Sequence, residues 1–257
     1  MQIFNEEPRD WKDLQDKVAY VLGSCGFNVE TPKKIQTVRE TIEVDVYAKT
    51  TEMTIICECK YWESSVPQSV VLSFRTAVID IGANKGIIIA KTGFQSGAYH
   101  SIQNTNIELK TWQEFMSEYR DKYIIANIKK LAKIKTPLYR LCVDKTEYLR
   151  VFEKLDKRQQ VVADGYKNEL MKVVLLLIPL SFMLQNGITD VLDFDLSYVD
   201  EIVAYTGKQL NREFPSYYTF FKYIYQQIGE IVPKLESIYG IKILPNDFYN
   251  ELIEYKI

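Results

Sequence analysis

Hydrophobic and polar residues alternate along two neighbouring segments in the first quarter of the chain. Residues 41–48 place Ile42, Val44 and Val46 on one face of an extended strand and polar side chains on the other. Residues 53–60 are rich in β-branched side chains and follow a short polar connection. Side chains two positions apart share a strand face, and two such segments in succession are typical of a β-hairpin. We therefore predict that these segments pair as a hairpin.

Helical spacing of apolar residues flanks this hairpin, and short apolar segments alternate with the helices. The patterns predict helices at residues 10–22, 68–81 and 95–103, with further strands near residues 26–29, 86–90 and 106–109. Helices that alternate with strands indicate an α/β fold. We expect the first 120 residues to form one such domain.

From about residue 121 the pattern becomes helical throughout. Helices are predicted at residues 124–134, 147–162, 169–185, 198–210, 216–239 and 247–255. We expect residues 121–257 to form a mainly helical domain, and no motif in it indicates a role. Its most apolar run, residues 173–184, is shorter than the ~20 residues that cross a bilayer, so we predict a buried helix and no membrane association.

The net charge of −2 over 257 residues is not that of a strongly basic nucleic-acid-binding protein. Positive charge is concentrated instead, because residues 121–158 contain 11 basic and five acidic side chains. One interpretation is attraction to DNA phosphates, and the other is a solvated linker helix. The candidate nucleic-acid-binding residues in this block are Lys129, Lys130, Lys133 and Lys135.

Cysteine and histidine usage excludes several site chemistries. The four cysteines show no spacing typical of a zinc site, and we expect them to be buried thiols in a reducing cytoplasm. His100 is the only histidine. A histidine-rich zinc centre and a Ser-His-Asp triad are therefore excluded, and no phosphate-binding P-loop motif is present.

The predicted hairpin holds the chain's most specific chemical signal. Glu58 and Lys60 project from one strand face about 6.6 Å apart, and pairing of the strands brings Asp45 beside Glu58. Carboxylates and a backbone carbonyl are oxygen ligands that Mg²⁺ prefers, and Asp45, Glu58 and the carbonyl of Cys59 form such a set. Lys60 is placed to stabilise the extra negative charge of a phosphodiester transition state. The alternative interpretation is an ordinary solvated strand face, because a Glu-x-Lys pair is common by chance.

The order of these features resembles the Mrr-type branch of the PD-(D/E)xK restriction-endonuclease-like nucleases. The resemblance covers residues 10–115. It includes the Glu43-Val-Asp45 and Glu58-Cys-Lys60 segments, the glycine-rich entry to a strand at residues 82–90, and Gly93-Phe94. It implies a mixed central sheet flanked by helices, and Mg²⁺-dependent hydrolysis of DNA by Asp45, Glu58 and Lys60, with Mn²⁺ able to substitute.

Three further positions are candidates through the same resemblance. Relatives place a glutamate on the first helix, where this chain has Gln15, and a glutamine at the start of the helix that Gln68 begins. Both are also consistent with ordinary surface glutamines. Glu43 resembles an acidic residue of some relatives, as a second metal ligand or as an ion-pair partner of Lys60.

Two classes of function follow. The first is a cytoplasmic Mg²⁺-dependent DNA endonuclease of restriction or anti-phage defence, which the intact Asp45, Glu58 and Lys60 favour. The second is a catalytically inactive DNA- or protein-binding module with a nuclease fold. A nuclease acting on RNA or branched DNA would use the same site. The resemblance also implies a homodimer, and partner proteins of a defence system are compatible with the unassigned helical half.

Overall fold

The computed structural model describes residues 1–144, 146–185 and 197–253. The chain divides into two compact units. The first, the sheet unit, comprises Glu6–Tyr123 together with Gln2, and the second, the helical unit, contains the remaining residues. The two units are described separately.

The sheet unit is built on a five-stranded mixed sheet, as the fold class predicted from the sequence requires. The order of its strands is β1-β4-β5-β6-β7. β4 lies antiparallel to β1 and β5, while β6 lies parallel to β5 and β7. The strands are β1 (Asn28–Glu30), β2 (Lys33–Gln36), β3 (Thr41–Val44), β4 (Val46–Lys49), β5 (Thr54–Lys60), β6 (Lys85–Ala90) and β7 (Ile107–Thr111).

Two helices, α2 (Gln68–Ile81) and α3 (Ser96–Ser101), cover one face of the sheet. Their apolar residues form a single buried cluster with the strands, including Phe74 and Val78 of α2 and Ile56 of β5. Gly86 of β6 allows this close packing. A Cβ atom at Gly86 would lie 2.5 Å from Val78 Cγ2 and 2.8 Å from Phe74 Cε1. The absence of a side chain therefore sets how closely α2 approaches β5 and β6.

The opposite face of the sheet carries α1 (Trp11–Ser24), which contacts β1, β4 and β5. Asp10 caps this helix, because its carboxylate accepts a hydrogen bond from the Asp13 amide at 2.8 Å. The first turns of α4 (Trp112–Tyr139) also belong to the sheet unit. There the hydroxyls of Tyr20 on α1 and Tyr123 on α4 form a buried hydrogen bond of 3.1 Å.

The strand predicted for residues 41–48 is wrong as one continuous strand, because the chain bends at Asp45. β3 pairs with β2 in a separate two-stranded sheet, and only β4 pairs with β5. The bend also changes the facing. Val44 packs into the α2-side cluster with Ile56, whereas Val46 lies opposite Cys57 on the other face. Val44 and Val46 therefore do not share a face as predicted.

The helical unit confirms a mainly helical second half. Beyond α4 it contains a π-helical turn at Arg140–Asp144, α5 (Thr146–Phe152), α6 (Lys157–Gln185), α7 (Ser197–Leu210), α8 (Tyr217–Tyr239) and α9 (Asn246–Ile253). The last two residues of the predicted terminal helix, 254 and 255, lie outside the described residues. No described helix is long and apolar enough to cross a membrane.

Several predicted helix boundaries are wrong: α4 continues to Tyr139, and α6 runs unbroken through residues 163–168. Capping explains two helix starts. The helix predicted at residues 147–162 is two helices, because Asp156 and Gln159 form a reciprocal capping box that starts α6. The helix predicted from residue 124 begins at Trp112 instead. There Glu114 accepts from the Thr111 amide at 2.7 Å, and the Thr111 hydroxyl accepts from the Glu114 amide at 3.2 Å.

The core of the helical unit is α8, which contacts α6 and α9. Its buried face is largely aromatic and includes Tyr217, Phe220, Phe221 and Tyr225. Glu236 is an exception on this helix, a carboxylate only 8% exposed. It accepts hydrogen bonds from the backbone amides of Ile243 at 2.7 Å and Leu244 at 3.2 Å, and thereby anchors the turn that follows α8.

Candidate active site

The central strand β5 has a charged face and an apolar face, as the alternation of its residues predicts. Glu58 and Lys60 project on the side that carries α2, with 23% and 19% of their side chains exposed. Cys57 and Cys59 are buried on the opposite side. Burial raises the pKa of both thiols, and both therefore remain protonated at neutral pH. The cysteines serve as small apolar packing groups beneath the site.

Asp45 is joined to β5 through its side chain rather than through strand pairing. Its Oδ2 accepts a hydrogen bond of 2.7 Å from the Cys59 amide. Continued pairing of β4 with β5 would place Val44 opposite Cys59, but Val44 pairs with Lys33 instead. The amide and carbonyl of one strand residue point toward the same neighbour. The Cys59 carbonyl is therefore directed to the edge of β5 where Asp45 lies.

The pKa of Glu58 is affected by burial and by the charge of the Asp45 carboxylate. Burial raises its pKa above the ordinary value, and the negative charge of Asp45 raises it further. Lys60 opposes both effects through a hydrogen bond to Glu58 and through its positive charge. The net shift of the pKa is upward, because burial and the Asp45 charge together outweigh Lys60. A divalent cation next to Asp45 and Glu58 would supply the missing positive charge.

Lys60 is held between an acid and an aromatic ring. Its Nζ lies 2.5 Å from Glu58 Oε1, and 5.4 Å from the centroid of the Trp62 ring. These two contacts place the Lys60 side chain between the acid and the indole ring.

A cleft of about 370 Å³ opens beside these residues. Glu58 and Lys60 form its floor on β5. α2 forms one wall and β3 the other, with the lining residues Glu43, Val44, Ser69, Val70, Ser73, Phe74 and Ala77. Asp45 does not line the cleft itself, since its carboxylate is turned toward the Cys59 amide. The cleft thus combines charged groups on the floor with two serine hydroxyls and apolar side chains on the wall.

Gln15 reaches the site from α1 and contacts its backbone. The side chain is 2% exposed, and its Nε2 donates to the Asp45 carbonyl at 2.6 Å and to the Thr31 hydroxyl at 2.7 Å. The Thr31 hydroxyl donates to the same Asp45 carbonyl at 2.8 Å. Gln15 therefore donates hydrogen bonds that hold the bend at Asp45, and it is not a surface glutamine.

The remaining candidates are placed less directly. Glu43 lines the cleft, but its ion-pair partner is Lys34 at 3.5 Å and not Lys60. Gln68 begins α2, as predicted, and its side chain lies beside Gly97 of α3. It does not line the cleft.

The four candidate lysines of the basic block lie on α4 within the helical unit. Lys129 and Lys133 are exposed, and Lys130 and Lys135 are half-buried. Their predicted contact with nucleic acid stays a prediction.

Sequence reasoning missed Thr31, Trp62 and the serine pair Ser69 and Ser73. Ser69 and Ser73 stand at the four-residue spacing that places both on one side of a helix, so their position was predictable once α2 was assigned. No local signal marks Thr31. Within the described residues, no group of three or more histidine, cysteine, aspartate or glutamate side chains forms a metal site.

Comparison with known proteins finds a family similarity for the part of the chain that holds this site. A search of curated proteins found no match. A solved structure titled as a protein of unknown function, AF1548, is similar at 18% identity and a TM-score of 0.38, covering 62% of this chain and 96% of that one. Residues 8–118 match the family model Mrr_cat, described as a restriction endonuclease, and no family model matches the remainder. Residues 8–118 are therefore similar to the restriction-endonuclease family, and this similarity supports a nuclease.

Proposed function

We propose that this chain is a divalent-metal-dependent endonuclease that hydrolyses phosphodiester bonds in DNA. Mg²⁺ is the proposed physiological ion, and Mn²⁺ is its substitute. The observation that carries the proposal is that the Asp45 carboxylate is bound to the amide of Cys59, the residue between Glu58 and its ion-pair partner Lys60. Acids kept in such surroundings are characteristic of functional sites, because a purely structural carboxylate is normally given enough donors to lower its pKa.

The residues present fit a hard divalent cation. Asp45 and Glu58 supply carboxylate oxygens, and the Cys59 carbonyl is directed to the same edge of β5. Mg²⁺ typically takes one or two protein carboxylates and keeps several waters, which matches a site of two acids. When bound, the ion supplies Lewis-acid polarisation of the phosphate and lowers the pKa of an attacking water.

The protein's own groups position the phosphodiester and balance its charge. Glu58 holds the Lys60 ammonium at 2.5 Å, which fixes where the positive charge is presented. A phosphate on the cleft floor therefore meets Lys60 as the nucleophile adds and negative charge increases. On the facing wall, the Ser69 hydroxyl is placed to donate a hydrogen bond to a non-bridging phosphate oxygen, whereas the Ser73 hydroxyl donates to the Ser69 carbonyl at 3.1 Å.

Gln15 and Thr31 act on Asp45 rather than on the substrate. Both donate to the Asp45 carbonyl, and the carboxylate of the same residue is fixed by the Cys59 amide. Catalytic constellations need side chains whose orientation is set by such supporting contacts. We assign Gln15 and Thr31 a positioning role. Glu43 contributes a negative charge to the wall of the cleft.

Further proposals extend to the rest of the molecule. The basic side chains Lys129, Lys130, Lys133 and Lys135 bind DNA phosphates without sequence preference. Residues 1–120 form the nuclease domain and residues 121–257 a helical domain that serves specificity, oligomerisation or sensing. The protein acts as a homodimer in restriction or anti-phage defence.

The test is cleavage of supercoiled, linear, methylated and phage-derived DNA by purified protein with Mg²⁺ or Mn²⁺. The parent is expected to nick or cut at least one of these substrates, and chelation of the metal to stop the reaction. Asp45→Ala and Lys60→Ala are expected to lose the activity. Lys12→Ala is a matched control, because Lys12 is a surface lysine paired with Asp16 at 2.9 Å on α1.

An inactive nucleic-acid-binding module is the competing function. It predicts DNA binding without cleavage of any substrate, and equal binding by the parent and Lys60→Ala. Structured RNA and branched DNA serve as additional substrates in the same assay, since the cleft chemistry does not depend on the sugar. Cleavage of these substrates alone would reassign the target but keep the site.

A further inference from the structure

An exposed tryptophan stands directly beside the proposed catalytic lysine. Trp62 follows Lys60 by two residues, at the carboxyl end of β5, and remains 40% exposed. Its ring centroid lies 5.4 Å from Lys60 Nζ. The other two tryptophans differ in position. Trp112 is buried at 1% exposure, and Trp11 is 63% exposed at the start of α1.

The loop that carries Trp62 is fixed to the neighbouring strand end. The Thr92 hydroxyl contacts the carbonyl oxygens of Trp62 at 3.2 Å and of Ser64 at 2.9 Å. The Lys91 amide donates to the Lys60 carbonyl at 3.0 Å, and the Lys91 ammonium lies 4.5 Å from the Tyr61 ring centroid. The indole is therefore carried by a backbone that is held at several points.

A large aromatic side chain in this place is suited to contact a nucleoside. A base is joined to its phosphate through one sugar, so a phosphate at Lys60 brings the attached base within reach of Trp62. Aromatic side chains beside a cationic track are the usual means by which proteins bind single-stranded nucleic acid, because every base has a π face. A base inside an intact duplex is already stacked on both sides and offers no free face.

We propose that Trp62 stacks on the base next to the phosphodiester that is cut, and that the preferred substrate is DNA with unpaired nucleotides at that position. Single strands, gaps and frayed ends belong to this class. The proposal rests on the proposed nuclease function and defines the substrate of the same site. It predicts that Trp62 contributes to binding, whereas Asp45, Glu58 and Lys60 contribute to the chemical step.

Tryptophan fluorescence gives a readout that does not depend on cleavage. In a Trp11→Phe background, with metal removed by EDTA, a 20-nucleotide oligo-dT is titrated into the protein. Trp62 emission is expected to be quenched as the base stacks, and Trp62→Phe is expected to abolish the quenching. By anisotropy of a labelled oligo-dT, Trp62→Leu is expected to raise the dissociation constant about ten-fold. Trp62→Phe is expected to raise it less than three-fold, and Trp11→Leu is the control.

Cleavage assays with Mg²⁺ separate stacking from support of Lys60. Stacking predicts that Trp62→Leu raises KM on single-stranded and gapped DNA and changes an intact duplex little. Equal losses of kcat on all substrates with KM unchanged would overturn the proposal, because Trp62 would then only hold Lys60. Unquenched emission in a parent that cleaves DNA would also overturn it and leave the nuclease function standing. Quenching in a parent that cleaves nothing would support stacking and remove the nuclease function.

Discussion

Two mostly buried glutamates, one in each unit, have carboxyl groups whose pKa values are shifted in opposite directions. Glu236 accepts two backbone amide hydrogen bonds and an ion pair from Lys242 at 3.0 Å. Burial acts to raise its pKa, but these contacts and the Tyr249 side chain together outweigh burial and lower the pKa. Glu58 has Lys60 as its partner and Asp45 as a neighbour of like charge, and its pKa is raised.

The contacts of a carboxylate therefore distinguish a structural acid from a functional one. The charge of Glu236 is balanced by backbone amides and by Lys242, and it stabilises the turn after α8. Glu58 is incompletely compensated by the fold, so its charge is available to a ligand from outside. Burial alone does not distinguish the two residues, because both are mostly buried. The partners distinguish them.

The largest expected effect is on catalysis at Glu58. Glu58→Gln keeps the shape of the side chain and removes a metal-binding charge, so cleavage of DNA is expected to fall by about 10³-fold or more. The free energy of unfolding is expected to stay level or rise, because a buried charge next to Asp45 is removed. Plasmid nicking and urea denaturation measure the two quantities. A Glu58→Gln variant that is active and destabilised would show that Glu58, like Glu236, has a structural role.

Glu236→Gln is expected to do the reverse. Glutamine keeps the oxygen that accepts from both amides but removes its negative charge, so these hydrogen bonds weaken and the free energy of unfolding is expected to fall by about 1 kcal/mol. The Lys242 ammonium sits on a mostly exposed side chain, so Lys242→Ala is expected to cost less than about 0.5 kcal/mol. Urea denaturation checks both variants, and comparable losses would show that the ion pair, not the backbone, stabilises the turn.

The pH dependence of stability sharpens the same point. The pKa of Glu236 in the folded protein lies below its ordinary value of 4.5, so the folded state favours the ionised form. Its contribution is therefore present above pH 4.5 and lost as the pH falls through the lowered folded-state pKa. The difference in unfolding free energy between the parent and Glu236→Gln is expected to shrink below pH 4.5. A difference that grows on acidification would contradict this sign.

A smaller effect is expected where the fold positions Asp45. Thr31→Val removes the hydroxyl that donates to the Asp45 carbonyl and keeps the side-chain shape. We expect kcat to fall about ten-fold with KM unchanged, since a misplaced catalytic group reduces rate strongly. Thr31→Ser retains the hydroxyl and is expected to restore most of the activity. Loss of activity in both variants alike would show that the methyl group matters, and not the hydrogen bond.

The smallest effect is expected at Glu43. Its partner Lys34 is largely exposed, as Glu43 itself is, and exposed ion pairs contribute little. Glu43→Gln is expected to change cleavage less than three-fold and stability less than about 0.5 kcal/mol. A loss approaching that of Glu58→Gln would make Glu43 a metal ligand.

Much of this site is predictable from local sequence. The alternation of β5 places Glu58 and Lys60 opposite Cys57 and Cys59, because strand periodicity is a property of the strand itself. The limits of α2 are also correct. The capping residues Thr111 and Glu114 mark the start of α4 by their spacing alone.

Other features depend on partners that are distant along the chain. The bend at Asp45 exists because its carboxylate replaces a strand hydrogen bond at Cys59, 14 residues away. Gln15 reaches the Asp45 carbonyl across 30 residues. Alternation continues through residues 41–48 without a break, so neither contact leaves a local trace. The resemblance to a nuclease family predicts that Asp45 and Glu58 lie together, but not how the fold brings them there.

Calorimetric titration with Mn²⁺ tests most directly whether Asp45 and Glu58 bind a divalent cation. The parent and Glu236→Gln are predicted to bind the ion with similar affinity. Asp45→Asn and Glu58→Gln are predicted to lose most of the binding while remaining folded. Unchanged Mn²⁺ binding in Glu58→Gln would contradict the account.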